Sequence, residues 1–290
     1  MKLDVISHCT IDTIEINDSK YVVPGGPGCY CSLTARALKF DVKLHTKFGS
    51  DFTLSDYLTE QKIVFENAFS NELTTQFVLQ LVNSERTLFL KNKCEVISDI
   101  ILDTDSVIIS PLFDEIPLEL FEKIKNNANF VLLDPQGFLR RVNSENKIYL
   151  EQTDLNLSGI SAIKVSLDEL NALTNASNLD GVKILQKKGI DNVILTDKQN
   201  ISLLSGNKIY SISLPDIELN DTTGKGDIFS AAFCCTMLKE KDILWALSFA
   251  GGAAQAALES GQIGLEKIPS KGAIESNAYY FYNTIKFKEI

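Results

Sequence analysis

Short, continuous apolar runs recur along this chain: DVIS (4–7), VKLHTKF (42–48), SVIIS (106–110), NFVLLD (129–134), AIKV (162–165) and NVILT (192–196). Helix-length segments such as GCYCSLTARALKF (28–40) and LDGVKILQKKG (179–189) separate them, and 117–125 reads as a helix with Pro117 near its start. A strand that is apolar throughout has no polar face to give to water, so both its faces must be covered. Strand–helix–strand order then makes the sheet parallel, with helices on both sides. The fold class is therefore α/β: three α/β/α layers around a mostly parallel central sheet.

Two stretches break the rhythm. DTIEINDSKYVV (12–23) alternates like an exposed strand pair, and TTQFVLQLVNSERTLFLKN (74–92) reads as a hairpin turning at NSER. Together they form a small β-sheet lid, inserted where it can cover the strand ends of the α/β body. A further hairpin is expected over 201–214, turning at Gly206 and Asn207. No low-complexity linker or internal repeat interrupts residues 1–290, which are read as one domain.

Net charge is −10. That excludes a basic footprint for nucleic acid or anionic membrane, but a local site for a phosphorylated small molecule stays open. No apolar run approaches the roughly 20 residues that span a bilayer. The N-terminal MKLDVISHCT reads as a first buried strand, not as a signal peptide, so a cytoplasmic location is expected. Six cysteines include no CxxC pair, and only two histidines accompany them. A zinc site is not expected, and the thiols read as small reduced hydrophobes.

LNDTTGKGDIFSAAF (219–233) carries the chemistry. It is not a Walker loop, because Gly226 follows the GK pair and Leu219 stands where the first glycine would be. Asp221, Thr222 and Thr223 suit a turn and helix cap, Gly224 and Gly226 let backbone N–H groups converge, and 227–239 continues as a helix. Unpaired N–H groups at a helix start hold an anion. A plain glycine-rich turn with an N-cap accounts for the loop equally well.

DTTGKGD resembles the D-T-x-G-A-G-D signature of the ribokinase-like, or PfkB, carbohydrate and nucleoside kinases, with Lys225 as its one departure. Supporting stretches follow the family's order: Asp12 after the first strand, the Gly25–Gly26 pair opening a helix, KFGSDF (47–52) and GQIGLEKIPS (261–270). The resemblance implies a ribokinase-like fold, ATP and Mg²⁺ as cofactors, and Asp227 as the base that takes the acceptor's proton. The N–H groups of Gly224, Lys225 and Gly226 would form the anion hole. Lys225 itself either faces solvent or reaches the transferred phosphate as a point charge.

The family's N-x-x-E motif, tied to magnesium, corresponds to Ser166 and Glu169, the latter acting through water; SLDE is also a plain capping box. Its T-x-G-x-x-G nucleotide segment corresponds to LTDKQNISLL (195–204), where Thr196 fits and the glycines are missing. Thr223 completes the phosphate side. Ala250, Gly251 and Ala254 of the small-residue helix FAGGAAQAAL would line an adenine pocket, or simply pack the helix on the sheet. Asp221 permits the monovalent cation that some members use. For the acceptor, Asp12, Gly25, Gly26, Tyr30, Thr75, Gln76, Arg86, Gln136 and Arg140 are candidates. The last two stand in LLDPQGFLRRV (132–142), which resembles a segment of the family's myo-inositol kinases and short archaeal-type members. A sugar or cyclitol is the expected acceptor and a nucleoside the alternative. A catalytically silent binding relative, and a homodimer through the lid, remain open.

Overall fold

A computed structural model describes residues 1–16, 19–82, 85–104, 106–215 and 221–290. Its strands are β1 Lys2–Ile6, β2 Thr10–Ile16, β3 Ser19–Gly25, β4 Asp41–His45, β5 Ile63–Val64, β6 Thr75–Val82, β7 Glu85–Asn92 and β8 Ser106–Ile109. They continue with β9 Phe130–Leu133, β10 Arg140–Val142, β11 Ile148–Leu150, β12 Ala162–Ser166, β13 Asn192–Asp197, β14 Asn200–Ser205, β15 Lys208–Ser213 and β16 Lys286–Glu289. The α-helices are α1 Gly26–Ala37, α2 Ser55–Glu60, α3 Leu118–Asn127, α4 Gln136–Leu139, α5 Leu167–Thr174, α6 Asn178–Lys187, α7 Lys225–Glu240, α8 Ile243–Glu259 and α9 Lys271–Thr284.

Ten strands form the central sheet in the order β16-β15-β14-β13-β12-β9-β8-β1-β4-β5. Pairing is parallel from β5 through to β13 and antiparallel among β13, β14, β15 and β16. The apolar runs behave as a two-sided sheet requires. In β9, Leu132 enters a core shared with α1, α7 and α8, while Val131 and Leu133 enter the opposite core with α3 and α5. Successive side chains of a strand point to opposite faces, so an all-apolar strand serves two cores at once. All six cysteines are free and buried.

The lid is a four-stranded sheet ordered β3-β2-β6-β7. Its β2–β6 pair is parallel and the flanking pairs antiparallel, so the two inserted stretches interlock rather than standing as separate hairpins. The turn expected at NSER falls partly outside the described residues. The hairpin expected over 201–214 is β14–β15. Among the described residues, no helix is long and apolar enough to cross a membrane.

Candidate active site

A cleft of about 410 Å³ opens between the carboxyl ends of the parallel strands and the lid. The sheet contributes Lys164 and Ser166 from β12 and Thr196 from β13; the N-terminus of α7 contributes Thr223, Gly224, Gly226 and Asp227. From the lid come Asp12 and Ile14 of β2, Phe77 and Leu79 of β6, and Arg86 and Leu88 of β7. Gly26, Tyr30, Gln136, Arg140 and Glu169 complete the wall.

The 221–224 turn is built to leave the helix start open. Gly224 is left-handed, with φ 78°, and a Cβ there would stand 2.5 Å from the Tyr30 ring, so only glycine fits. No side chain caps α7. The first i−4 bond of the helix runs from Ile228 N–H to the Gly224 carbonyl, and Lys225 N–H turns back to the Thr222 carbonyl at 3.3 Å. Of the three N–H groups expected in the anion hole, that of Lys225 is thus taken, while among the described residues those of Gly224, Gly226 and the following Asp227 have no backbone acceptor and lie at the positive end of the helix dipole. A Cβ on Gly226 would lie 2.8 Å from Lys164 Nζ, which brings an ammonium against that same seat.

Lys164 was hidden inside the apolar run AIKV. Its Nζ pairs with Asp134 Oδ2 at 2.5 Å, at the end of β9. Burial pulls the lysine down, but Asp134, Glu169 and Asp227 outweigh it and hold the ammonium above its ordinary value. A lysine in the middle of a strand with two buried faces was the one available signal of a role beyond packing.

Two buried carboxyls line the cleft, Asp227 from α7 and Asp12 from the lid. Burial pushes Asp227 up to about 7, with Lys164 pulling against it. The same cause lifts Asp12 to about 7, and its Oδ1 has no hydrogen-bond partner among the described residues. Gly25, the residue before α1, makes room for it: a Cβ there would stand 2.5 Å from Asp12 Oδ2. Gly26 is left-handed at φ 78° and packs against the His8 carbonyl.

Several expected residues stand elsewhere. Thr75 is buried below the cleft, where its Oγ1 meets His8 Nδ1 at 2.9 Å and accepts from Cys94 N–H at 3.0 Å. Gln76 faces away and donates to Asp51 Oδ2 at 3.1 Å. Phe77 and Leu79 share the face of Thr75 by the strand's ordinary alternation and, further along β6, line the cleft. Asp51 of KFGSDF spends its carboxylate on Thr74 and Gln76 and serves the lid's base.

Tyr30 is fully buried beneath Gly224, so its ring offers no open face for stacking on a ligand. Ala250, Gly251 and Ala254 do not reach the cleft. All three are buried, and a Cβ on Gly251 would collide with Ile212 Cδ1 of β15 and touch Phe281 of α9. At Gly251 the small residue serves helix packing. Lys225 also lies outside the cleft lining: its Nζ rests 3.4 Å from the Lys198 carbonyl in the β13–β14 turn. Burial lowers it, and so do the neighbouring cations Lys164 and Arg86. Among the described residues, Lys225, Arg86 and Arg140 have no ion-pair partner, and of the three Arg86 and Arg140 line the cleft. Arg140 is steadied by its Nη1 bond to the Leu112 carbonyl, 3.1 Å, and by the Phe77 ring.

The SLDE capping box is present in full: Ser166 N–H donates to Glu169 Oε2 at 2.7 Å, and Glu169 N–H to Ser166 Oγ at 3.3 Å. Both residues also line the cleft, and burial raises the Glu169 carboxyl. No cluster of three or more His, Cys, Asp or Glu side chains that could hold a metal occurs among the described residues. Were a donor to bring Mg²⁺ on its phosphates, Glu169 is a carboxylate of the cleft wall that would face it. Asp221 is occupied by Lys267, whose Nζ lies 2.5 Å from Oδ2.

A family model described as pfkB family carbohydrate kinase matches residues 5–270. No curated protein sequence matches the chain. Among solved structures, a sulfate complex of a pyrophosphate-dependent kinase in the ribokinase family superposes with a TM-score of 0.82 at 21% identity, covering 94% of this chain and 99% of the other. A pyrophosphate-dependent kinase of that family, complexed with a pyrophosphate analog and myo-inositol, gives 0.80 at 21% over the same shares. Arabidopsis thaliana ribokinase complexed with ribose and ATP gives 0.74 at 20%, covering 96% and 98%. These likenesses establish the ribokinase-like fold.

Proposed function

Because the chain belongs to the pfkB family of carbohydrate kinases, phosphotransferases that act on hydroxyl groups, we propose that it phosphorylates a cyclitol or sugar and takes the phosphoryl group from inorganic pyrophosphate. The acceptor lies under the lid. Ile14, Phe77, Leu79 and Leu88 give it an apolar roof, suited to the C–H face of a ring, while Asp12, Gln136 and Arg140 meet its hydroxyls. The unpartnered Oδ1 of Asp12 is an acceptor in want of a donor, which a hydroxyl supplies.

Asp227 takes the proton of the attacking hydroxyl as its oxygen bonds to phosphorus and the donor's bridging P–O bond breaks. A carboxyl lifted to about 7 is a far better base than an ordinary one near 4. The Gly226 and Asp227 N–H groups, with Lys164, neutralise the phosphoryl oxygens in flight. When bound, Mg²⁺ would supply further neutralisation of the donor's phosphates. The freed proton and phosphate leave to solvent.

The donor reading rests on one observation above the rest: of the residues expected to line an adenine pocket, all are buried, and Gly251 packs on Ile212 and Phe281. Its companions are a tight β13–β14 turn, with Asp197 paired to Asn200, in place of a glycine-rich loop, and the unpaired Lys225 beside it. A donor without a base is held through its phosphates alone, and an added cation suits it. The solved pyrophosphate-dependent kinases support the same choice. Turnover with pyrophosphate and with ATP, each against myo-inositol, ribose, other sugars and nucleosides, tests it. Pyrophosphate with a cyclitol or sugar should be the productive pair. Saturable turnover with ATP and none with pyrophosphate would overturn the donor, and silence across the whole panel would overturn the kinase reading.

A further inference from the structure

We infer that Lys267 acts as a tethered monovalent cation: its ammonium sits where a potassium-sized ion would otherwise bind at Asp221, and it holds the 221–224 turn in shape without help from solution. The inference deepens the kinase reading, since the turn it holds is the one that presents the phosphoryl seat.

Lys267 closes the 3-10 turn Gly264–Lys267 and is only 2% exposed. Its Nζ reaches Asp221 Oδ2 at 2.5 Å, the Asp221 carbonyl at 3.3 Å and the Thr223 carbonyl at 3.0 Å. An ammonium has three N–H donors, and here three oxygens of one turn take them. The same turn is braced from within, because Thr223 N–H donates to Asp221 Oδ1 at 2.8 Å. Both oxygens of Asp221 are thus spent on fixing residues 221–223, immediately before the left-handed Gly224 that starts α7.

A carboxylate and two carbonyls converging on one point are the hard oxygen donors that an alkali cation takes. The resemblance leads one to expect such an ion at Asp221. The structure does not fit a second cation there, because the lysine ammonium already stands among the ligands, and Lys267 holds the Asp221 carboxyl below its ordinary value against the burial that would raise it. Cutting the side chain back leaves a buried, uncompensated carboxylate facing two carbonyls, and that charge demands a replacement. Potassium and ammonium match the lost group in charge and approximate size; choline is too large to enter.

The experiment compares wild type, Lys267→Ala and Lys267→Gln in potassium, ammonium, sodium and choline chloride at matched ionic strength. Thermal unfolding and turnover are both read. Wild-type turnover and melting temperature should be the same in potassium as in choline. Lys267→Ala should lose about tenfold or more of its turnover in choline and regain most of it in potassium or ammonium. Its melting temperature should rise in those two salts by several degrees relative to choline. Potassium activation of the wild-type enzyme would overturn the inference, as would Lys267 variants whose melting is indifferent to the cation. Should both variants fail to fold in every salt, the wild-type comparison still decides. The melting arm needs no substrate, so failure of the proposed reaction and failure of this inference give different results.

Discussion

Asp227→Asn separates the cost of the active site from its use. Burial holds the Asp227 carboxyl at about 7, against an ordinary value of 3.8. The unfolded chain releases this proton near pH 4, whereas the folded chain keeps it until about pH 7. Between those limits the folded state binds more protons, so this group makes stability fall as pH rises, by about 1.4 kcal/mol per pH unit, and then level off above pH 7. Asparagine removes the titration. The substituted enzyme should therefore gain about 2 kcal/mol over wild type at pH 5.5 and about 4 kcal/mol at pH 8. Both are upper bounds, because the asparagine amide brings two buried N–H donors where the neutral carboxyl has one O–H, and each unmet donor subtracts from the gain. Turnover should fall by about 10²–10⁴-fold, the span of a positioned general base. Urea unfolding of both proteins from pH 5.5 to 8.5, with kcat at each pH, is the assay. A stability gap that does not widen toward pH 8, or a variant that keeps its kcat, would refute the assignment of a buried catalytic base.

Other outcomes follow from the same geometry. The kcat/KM for the acceptor should climb with pH and level off above about 7, as Asp227 and Asp12 give up their protons; a flat profile from pH 5.5 to 8.5 would contradict this. Asp12→Asn should raise the acceptor KM about 10–100-fold, the loss of a charged hydrogen bond, and leave the donor KM unchanged; an unaltered acceptor KM would remove Asp12 from the acceptor site. Lys225→Ala should raise the KM for pyrophosphate about tenfold with little effect on the acceptor, and an unchanged donor KM would dismiss it from donor binding. Gly251→Val should cost about 1–3 kcal/mol through collision with Ile212 and Phe281, while sparing the donor KM; a donor KM that rises with stability intact would place a base against α8 after all.

What the chain disclosed, and what it withheld, divides along physical lines. Apolar runs without alternation announce a sheet covered on both faces, and DTTGKGD announces an open helix start, because both are local properties of consecutive residues. Position along a strand is not local: Thr75 and Gln76 fall in the expected strand, yet they stand at its start, where their side chains meet His8 and Asp51, and Phe77 and Leu79 further along line the cleft. The small-residue stripe at 250–254 suits a base pocket and a helix interface equally, and it takes the position of Ile212 and Phe281 in space to show that Gly251 packs a helix. Capping box and cleft proved compatible, since Glu169 does the first with one oxygen and still faces the second. Lys164 is marked only by its place within an apolar strand, and Lys267 is not legible in the sequence, because a lysine in a loop carries no sign of its burial. Nor does an aspartate; the same desolvation that hides the lysines is what makes Asp227 a capable base.

The most direct test follows the phosphorus. Wild-type protein and Asp227→Asn are each incubated with Mg²⁺, pyrophosphate and the panel of cyclitols and sugars, with ATP as a parallel donor, and products are read by ³¹P NMR. A phosphate monoester of a cyclitol or sugar should form with the wild type and pyrophosphate, and not with Asp227→Asn. Equal monoester formation by the two proteins, or none from any donor and acceptor, would contradict the account.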